Sequence, residues 1–281
     1  MREKAHLGRR RLNLRKTLFI LPNLITLSAI FCGFDSIRLS AGAAGEGAED
    51  DLYRAALLIV FSMFFDMLDG RVARMTKTQS AFGLQIDSLA DVVSFGVAPA
   101  VLVYGWMLKR FGVFGLVVSF LFCASAAVRL ARFNVLSMGD SGKPTKPSPY
   151  FLGLPTPGAA GILVSIVVAN HAVEGAIGRA EYAGIILAIT IGLSFLMVSN
   201  VRFRTFKDVK LNLRTAAFVG FAILSSTIIS TQMKPAFVLV WLLGFYVLMG
   251  LFETLWQLPG RLKARAAAVR DGAGPTDITP E

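Results

Sequence analysis

The chain has 281 residues, of which 54% are hydrophobic and only 17% are charged, with a mean hydropathy of +0.61 and a formal net charge of +11. These values exclude a soluble globular protein and indicate a membrane protein with several spans. The basic residues flank apolar segments, where they orient helices and contact anionic lipid, so the positive charge does not indicate a nucleic-acid partner.

Eight apolar segments are long enough to cross a bilayer, which takes about 20 residues. They are predicted near residues 18–39, 52–74, 84–107, 113–133, 155–172, 182–200, 214–232 and 235–256. The predicted fold is therefore all-α, a polytopic bundle of about eight transmembrane helices that forms one membrane domain over residues 17–256. Residues 1–16 are predicted to form a basic cytoplasmic leader, and residues 257–281 a cytoplasmic tail whose end is expected to be disordered. Pro22 either begins or breaks the first helix, and the sequence does not choose between the two.

The distribution of Lys and Arg predicts the orientation of the spans. Basic residues are concentrated in the leader, in the loop after the sixth segment and in the tail, and eight spans place these three regions on one side. The opposite side holds the acidic stretches Glu46–Asp51 and Glu174–Glu181. This bias predicts that both termini face the cytoplasm, together with an irregular loop over Ser137–Leu154.

Four carboxylates interrupt the second and third apolar segments. Asp66 and Asp69 share one helix face, and Gly83, Asp87 and Asp91 share another. A lone aspartate in a span would be interpreted as a helix-packing hydrogen bond, whereas four on two facing helices indicate a functional site. Four negative charges so close together need cations, and oxygen-only ligands favour two divalent ions, Mg²⁺ or Mn²⁺.

The residues around these carboxylates suit a phosphate-containing substrate. Gly70, Ala73 and Gly83 let a ligand approach the helix backbone closely, although close helix packing also explains the glycines. Arg74 suits a phosphate oxygen, with a membrane-interface anchor as the alternative. Asp91 is the carboxylate that can take a proton from an attacking hydroxyl.

The pattern D-x-x-D-G-x-x-A-R-x8-G-x3-D-x3-D, satisfied from residue 66 to residue 91, resembles the signature of the CDP-alcohol phosphotransferase family. The resemblance implies metal-dependent transfer of a substituted phosphate from a CDP-linked lipid to an alcohol, with release of CMP. It implies that the metals are held by Asp66, Asp69 and Asp87, and that Asp91 adds to the metal site and acts as the base. It also implies that the CDP group is held by Gly70, Arg74 and Gly83. Asp69, Ala73 and Thr78 are further candidate contacts with the CDP group. Thr78 has an ordinary polar turn as its alternative.

Five further blocks resemble the serine-accepting members of this family. They are L-P-N-L-I-T-L-S-A-I-F-C-G-F (Leu21–Phe34), D-S-L-A-D-V-V-S-F-G-V-A-P-A (Asp87–Ala100), R-L-A-R-F-N (Arg129–Asn134), F-L-G-L-P-T-P-G-A-A (Phe151–Ala160) and L-M-V-S-N-V-R-F (Leu196–Phe203). This resemblance implies CDP-diacylglycerol and L-serine as substrates. It also implies a homodimer in the bacterial inner membrane, with the active site in a polar cavity that faces the cytoplasm.

Arg129 and Arg132 lie three residues apart near the cytoplasmic end of the fourth segment, with Asn134 just beyond. A serine substrate carries a carboxylate, for which a buried arginine is the natural partner, so these residues are predicted to bind serine or a substrate phosphate. The alternative is that both arginines extend to the membrane interface without contacting a substrate.

Three alternatives stay open at this point, and the one that nothing in the sequence favours is an inactive scaffold, since all four aspartates are intact. A sister enzyme that accepts glycerol phosphate, inositol phosphate or choline would share the aspartate motif. A divalent-cation transporter would also line a cavity with carboxylates, but it predicts polar residues through to the far membrane face. The third segment instead becomes apolar over Val97–Val103, which favours the enzyme.

Overall fold

The computed structural model describes residues 14–76, 80–138, 150–204, 213–232 and 234–250. Most of them lie in helices: α1 (Leu14–Gly42), α2 (Ala48–Thr76), α3 (Ala81–Asp91), α4 (Ala98–Trp106), α5 (Val113–Met138), α6 (Thr156–Ala172), α7 (Ala183–Val198), α8 (Leu213–Gln232) and α9 (Ala236–Gly250). A π-helical segment, Val92–Val97, joins α3 to α4. Short 3-10 turns lie at Leu108–Phe111, Ala176–Gly178 and Ala180–Tyr182. Within the described ranges, each of the eight predicted apolar segments falls on helical structure.

Four helical stretches in the described residues are long and apolar enough to cross a membrane. They are Leu21–Gly42, Phe82–Trp106, Val113–Leu136 and Ala180–Val198, and α6 and α9 are shorter apolar helices. Helix α2 has 29 residues, but its aspartates and arginines lower its hydropathy. Pro22 lies inside α1, so this proline neither begins nor ends the first helix.

The loop predicted over Ser137–Leu154 differs from the structure at both ends. Helix α5 continues to Met138, and Tyr150–Leu152 forms a strand, β1, that pairs with β2 (Arg202–Arg204) in antiparallel register. Residues 139–149 lie outside the described part of the chain. The C-terminal end of the predicted loop therefore pairs with the segment that follows α7. The described fold is helical, with one short pair of strands.

Helix α6 lies at the centre of the bundle and is buried on almost every side. A helix that is apolar all round must be covered by neighbours, and α6 contributes to both clusters of the hydrophobic core. One cluster contains Phe122 of α5 and Met197 of α7, and the other contains Ile59 of α2 and Phe95 of the π-helical segment. These clusters place α2, the π-helical segment and α4 against α6.

Serine hydroxyls and a glycine hold α1 against its neighbours. The Ala29 carbonyl accepts hydrogen bonds from Ser62 Oγ of α2, at 3.0 Å, and from Ser94 Oγ of the π-helical segment, at 3.1 Å. Gly33 packs against Ser94 so closely that a Cβ at position 33 would lie 2.9 Å from the Ser94 Cα. Helix α1 can therefore approach the π-helical segment that follows Asp91 this closely only because residue 33 is a glycine.

We expect Gly33→Ala to destabilise the fold by about 1–3 kcal/mol, because the added methyl group overpacks a contact with backbone atoms. Thermal unfolding of the full-length chain in detergent micelles measures the effect as a lower midpoint temperature. Gly42→Ala is the matched control, since Gly42 also lies in α1 and a Cβ there would meet nothing within 4 Å. Equal midpoints for the two variants would contradict the packing argument.

Candidate active site

Three of the predicted carboxylates converge in the structure. Asp66 and Asp69 lie near the C-terminal end of α2 and Asp87 lies on α3, and each offers an oxygen within 4.8 Å of the others. Asp69 is buried, whereas the other two are half-buried. Three carboxylates at this separation repel one another unless a cation neutralises them, and their oxygen atoms suit a hard divalent ion. The donor set present therefore fits the metal that the motif implies.

Asp91 lies beside this cluster rather than apart from it. Its carboxyl group is within hydrogen-bonding reach of Asp66, which makes it the fourth acidic group of the site. The nearby positive charge is Arg129 of α5, which interacts electrostatically with Asp91. The cluster thus has a basic group on the side where α5 approaches α3.

The residues predicted to hold the CDP group surround the same ends of α2 and α3. Arg74 is exposed and folds back along α2, where its guanidinium lies over Gly70 and near Asp69. Ser80 caps α3, because its Oγ accepts a hydrogen bond of 3.0 Å from the Gly83 backbone N–H. A Cβ at Gly83 would lie 3.9 Å from the Asn23 side-chain oxygen, so α1 also borders this region. Ala73 is half-buried on α2, and Thr78 lies outside the described residues.

The two predicted acceptor-site arginines have different surroundings. Arg129 is buried, its Nη1 donates a 3.0 Å hydrogen bond to Thr156 Oγ1, and its Nε has no hydrogen-bond partner among the described residues. A buried donor without a partner is costly, so this N–H is available for an acceptor from outside the protein. Arg129 therefore has the free hydrogen-bonding capacity that a substrate site requires.

Arg132 instead donates to the end of α7 and to β1. Its guanidinium contacts the carbonyl oxygens of Leu152, Val198 and Ser199 at 3.0–3.2 Å and the Asn200 side-chain oxygen at 3.3 Å. A positive charge at this place also complements the negative end of the α7 dipole. These contacts give Arg132 a structural role, and its predicted contact with serine or phosphate stays a prediction.

Asn134 connects α5 to α3. Its Nδ2 donates a 2.8 Å hydrogen bond to Ser88 Oγ, immediately next to Asp87. This hydrogen bond joins α5 to α3, the helix that carries Asp87. The contact of Asn134 with a substrate stays a prediction.

Several residues at the site were not singled out from the sequence. Thr26 of α1 donates a 2.5 Å hydrogen bond to Asp69 Oδ2, and Thr156 of α6 accepts from Arg129. Tyr246 of α9 lies near the Arg129 guanidinium. Thr26 and Thr156 belong to the blocks L-P-N-L-I-T and G-L-P-T-P, which signalled their regions but not their contacts. No sequence pattern pointed to Tyr246.

The fold and the site define a class: a helical protein with helices long and apolar enough to span a membrane, and with an acidic, metal-compatible cluster between two of its helices. The sequence profile described as CDP-alcohol phosphatidyltransferase matches residues 19–196. That match covers the helices carrying all four aspartates and Arg129. The chain belongs to the CDP-alcohol phosphatidyltransferase family.

Curated relatives share most of the chain. A protein of Helicobacter pylori (strain ATCC 700392 / 26695) is 37% identical over 242 residues, which are 86% of this chain and 93% of the relative. One from Mycobacterium tuberculosis (strain ATCC 25618 / H37Rv) is 32% identical over 84% of this chain and 77% of its own length. One from Bacillus subtilis (strain 168) is 32% identical over 66% of this chain and 91% of its own length. All three are named CDP-diacylglycerol–serine O-phosphatidyltransferase.

Proposed function

We propose that this protein transfers the phosphatidyl group of CDP-diacylglycerol to the hydroxyl group of L-serine, giving phosphatidylserine and CMP. The observation that carries the proposal is the convergence of Asp66, Asp69 and Asp87 beside Asp91, with Arg129 as the neighbouring cation. Family membership supports the donor and the reaction, and the names of the relatives support serine as the acceptor.

The carboxylate cluster is proposed to hold two divalent cations, Mg²⁺ or Mn²⁺, with Asp66, Asp69 and Asp87 as principal ligands and Asp91 contributing. Such ions, when bound, neutralise a diphosphate and stabilise the charge that develops on its oxygens during transfer. The protein supplies oxygen ligands on α2, which packs against α6 in the core, and on α3, which continues into the π-helical segment that packs there too. Rigid helices hold these ligands more precisely than loops would.

Asp91 is proposed to accept the proton of the serine hydroxyl. The serine oxygen then forms a bond to the phosphorus next to diacylglycerol, and the bond from that phosphorus to the oxygen of the CMP phosphate breaks. The proton stays on the Asp91 carboxyl group until product release, and CMP leaves with the electron pair of the broken bond. A base in contact with the attacking hydroxyl typically contributes about 10²–10⁴-fold to such a step.

The ends of α2 and α3 are proposed to bind the CDP group. Gly70, Ala73 and Gly83 leave room next to the helix backbones, and Arg74 lies where it can donate to a phosphate oxygen. Asp69 and Thr78 are proposed as further contacts. The position of Arg74 supports this assignment, because its guanidinium lies against the open side of Gly70, where an added Cβ would be 3.5 Å from Nη1.

Arg129 is proposed to bind the serine carboxylate. Arg129 is buried next to Asp91, and its Nε has no partner within the described part of the chain, which favours a small anionic acceptor held beside the base. Arg132 and Asn134 are proposed to support this subsite from the same helix. Because Arg132 already donates to four acceptors, it would act mainly by fixing α5 against α7.

In the membrane we propose eight spans, with both termini and a polar substrate cavity facing the cytoplasm, in a bacterial inner membrane. The four long apolar helices and the additional shorter ones support a multi-pass arrangement. The acyl chains of the donor would then stay in lipid while its head group reaches the carboxylates. A homodimer is proposed from family membership alone.

The test is CMP release by the purified full-length chain supplied with CDP-diacylglycerol and Mn²⁺ or Mg²⁺. L-Serine, glycerol 3-phosphate, inositol phosphate and choline are compared as acceptors. Serine-dependent and metal-dependent release, accompanied by phosphatidylserine in the lipid extract, is the expected result. Release with a different acceptor would keep the family and overturn serine, and no release with any acceptor from folded protein would overturn the transferase activity.

A further inference from the structure

Helix α1 lies outside the aspartate motif, yet it contributes a polar group to the carboxylate cluster. Thr26 is only 4% exposed, and its Oγ1 lies 2.5 Å from Asp69 Oδ2. The same hydroxyl is 3.0 Å from the Pro22 carbonyl oxygen, within its own helix. A buried hydroxyl needs a partner, and the short distance to a carboxylate oxygen indicates a charge-assisted hydrogen bond.

The position of Thr26 relative to Asp69 is set by packing rather than by a flexible side chain. Three residues further along α1, the Ala29 carbonyl accepts from both Ser62 and Ser94, so α1 is tied to α2 and to the π-helical segment at the same point. Gly33 continues this close approach one turn later. The threonine hydroxyl therefore meets a carboxylate whose own helix is fixed against α1.

We infer that Thr26 is a positioning residue of the metal site: its hydrogen bond fixes the rotation of the Asp69 carboxylate and so presents Asp69 to the cation. This inference rests on the proposed function, because it takes Asp69 as a metal ligand. A hydrogen bond to one oxygen leaves the other oxygen, and the remaining lone pairs, available for coordination. Partners of this kind hold metal ligands in place, and their removal typically weakens metal binding about 10- to 100-fold.

The experiment measures Mn²⁺ binding directly, by electron paramagnetic resonance titration of the purified full-length chain without substrates. Thr26→Val keeps the side-chain volume but removes the hydroxyl, and we expect it to weaken Mn²⁺ binding about 10- to 100-fold. Thr26→Ser restores the hydroxyl and is expected to bind within about threefold of the unmodified chain. If the valine variant does not fold, Thr26→Ala provides the same test without an added methyl group.

Ser36→Ala is the matched control, because it removes a 2.9 Å hydrogen bond from α1 to the Ala55 carbonyl of α2 that involves neither a carboxylate nor the contacts that position Thr26. We expect it to lower thermal stability while leaving Mn²⁺ affinity unchanged. Unchanged Mn²⁺ affinity in Thr26→Val, or an equal loss in Ser36→Ala, would overturn the positioning role and leave Thr26 as a packing residue. Absence of Mn²⁺ binding in the unmodified chain would overturn the metal site itself, which separates a failure of the proposed function from a failure of this inference.

Discussion

Asp91→Asn is expected to lower the turnover number for CMP release about 10³-fold while changing Mn²⁺ affinity less than about tenfold. The amide keeps an oxygen that can face a cation, but it cannot accept the proton of the serine hydroxyl. Because Asp91 lies within hydrogen-bonding reach of Asp66, the amide can also keep the local hydrogen bond. Steady-state CMP release at saturating serine and a separate Mn²⁺ titration measure the two effects.

Two other aspartate variants make the result specific to Asp91. Asp87→Asn is expected to lose both Mn²⁺ binding and turnover, since Asp87 belongs to the group of three converging carboxylates. Asp35→Asn should retain both, because Asp35 lies on α1 and pairs with Arg38 at 2.7 Å, outside the cluster. Normal turnover in Asp91→Asn would contradict its role as the base. Loss of Mn²⁺ binding as complete as in Asp87→Asn would make it principally a ligand.

The carboxylate cluster was accessible to sequence reasoning because its geometry is mostly local. Spacings of three and four residues place side chains on one helix face whatever the rest of the fold does. Asp66 and Asp69 share α2, Asp87 follows on the next helix, and the connection between the helices is short. Consecutive helices are usually neighbours in space, so the two acidic faces were expected to meet.

Contacts that depend on long-range packing were not accessible in this way. The bond from Thr26 to Asp69 joins residues 43 positions apart, and its register is set by how α1 docks on two other elements. The two arginines of R-L-A-R-F-N illustrate the same limit. Their shared chemistry and their place at one end of the same segment predicted one shared role. In the structure, Arg132 donates to the end of α7 and to β1, whereas Arg129 keeps an Nε donor that has no partner among the described residues.

The π-helical segment was also absent from the sequence-based prediction. The sequence predicted that Val92–Val97 continues the helix of the third apolar segment, because these residues are mostly apolar and Gly96 is the one residue among them that disfavours a helix. A π-helix widens the turn, and such segments are frequent at functional sites. Here it begins directly after Asp91 and places Ser94 against α1, which connects the position of the proposed base to the docking of α1.

Replacing Arg129 is expected to weaken the binding of serine and to reduce the preference of the enzyme for serine over acceptors that lack a carboxylate. Arg129→Lys keeps the positive charge beside Asp91 but loses the planar guanidinium, and we expect the KM for serine to rise about tenfold with little change in turnover number. Arg129→Met removes the charge and should raise that KM about 100-fold or more, since losing one partner of a buried charge pair costs about 2–5 kcal/mol. Initial rates of CMP release over a serine titration provide both values.

Ethanolamine, which is serine without its carboxylate, separates carboxylate binding from a general effect on the site. The unmodified enzyme is expected to prefer serine strongly, and Arg129→Met should lose most of that preference, because the subsite no longer rewards the carboxylate. Arg132→Lys tests the neighbouring arginine in parallel: a role in holding α7 and β1 predicts lower thermal stability with an unchanged preference for serine. An unchanged serine KM in Arg129→Lys at normal activity would contradict carboxylate binding by Arg129. A lost preference in Arg132→Lys alone would assign the carboxylate to that residue instead.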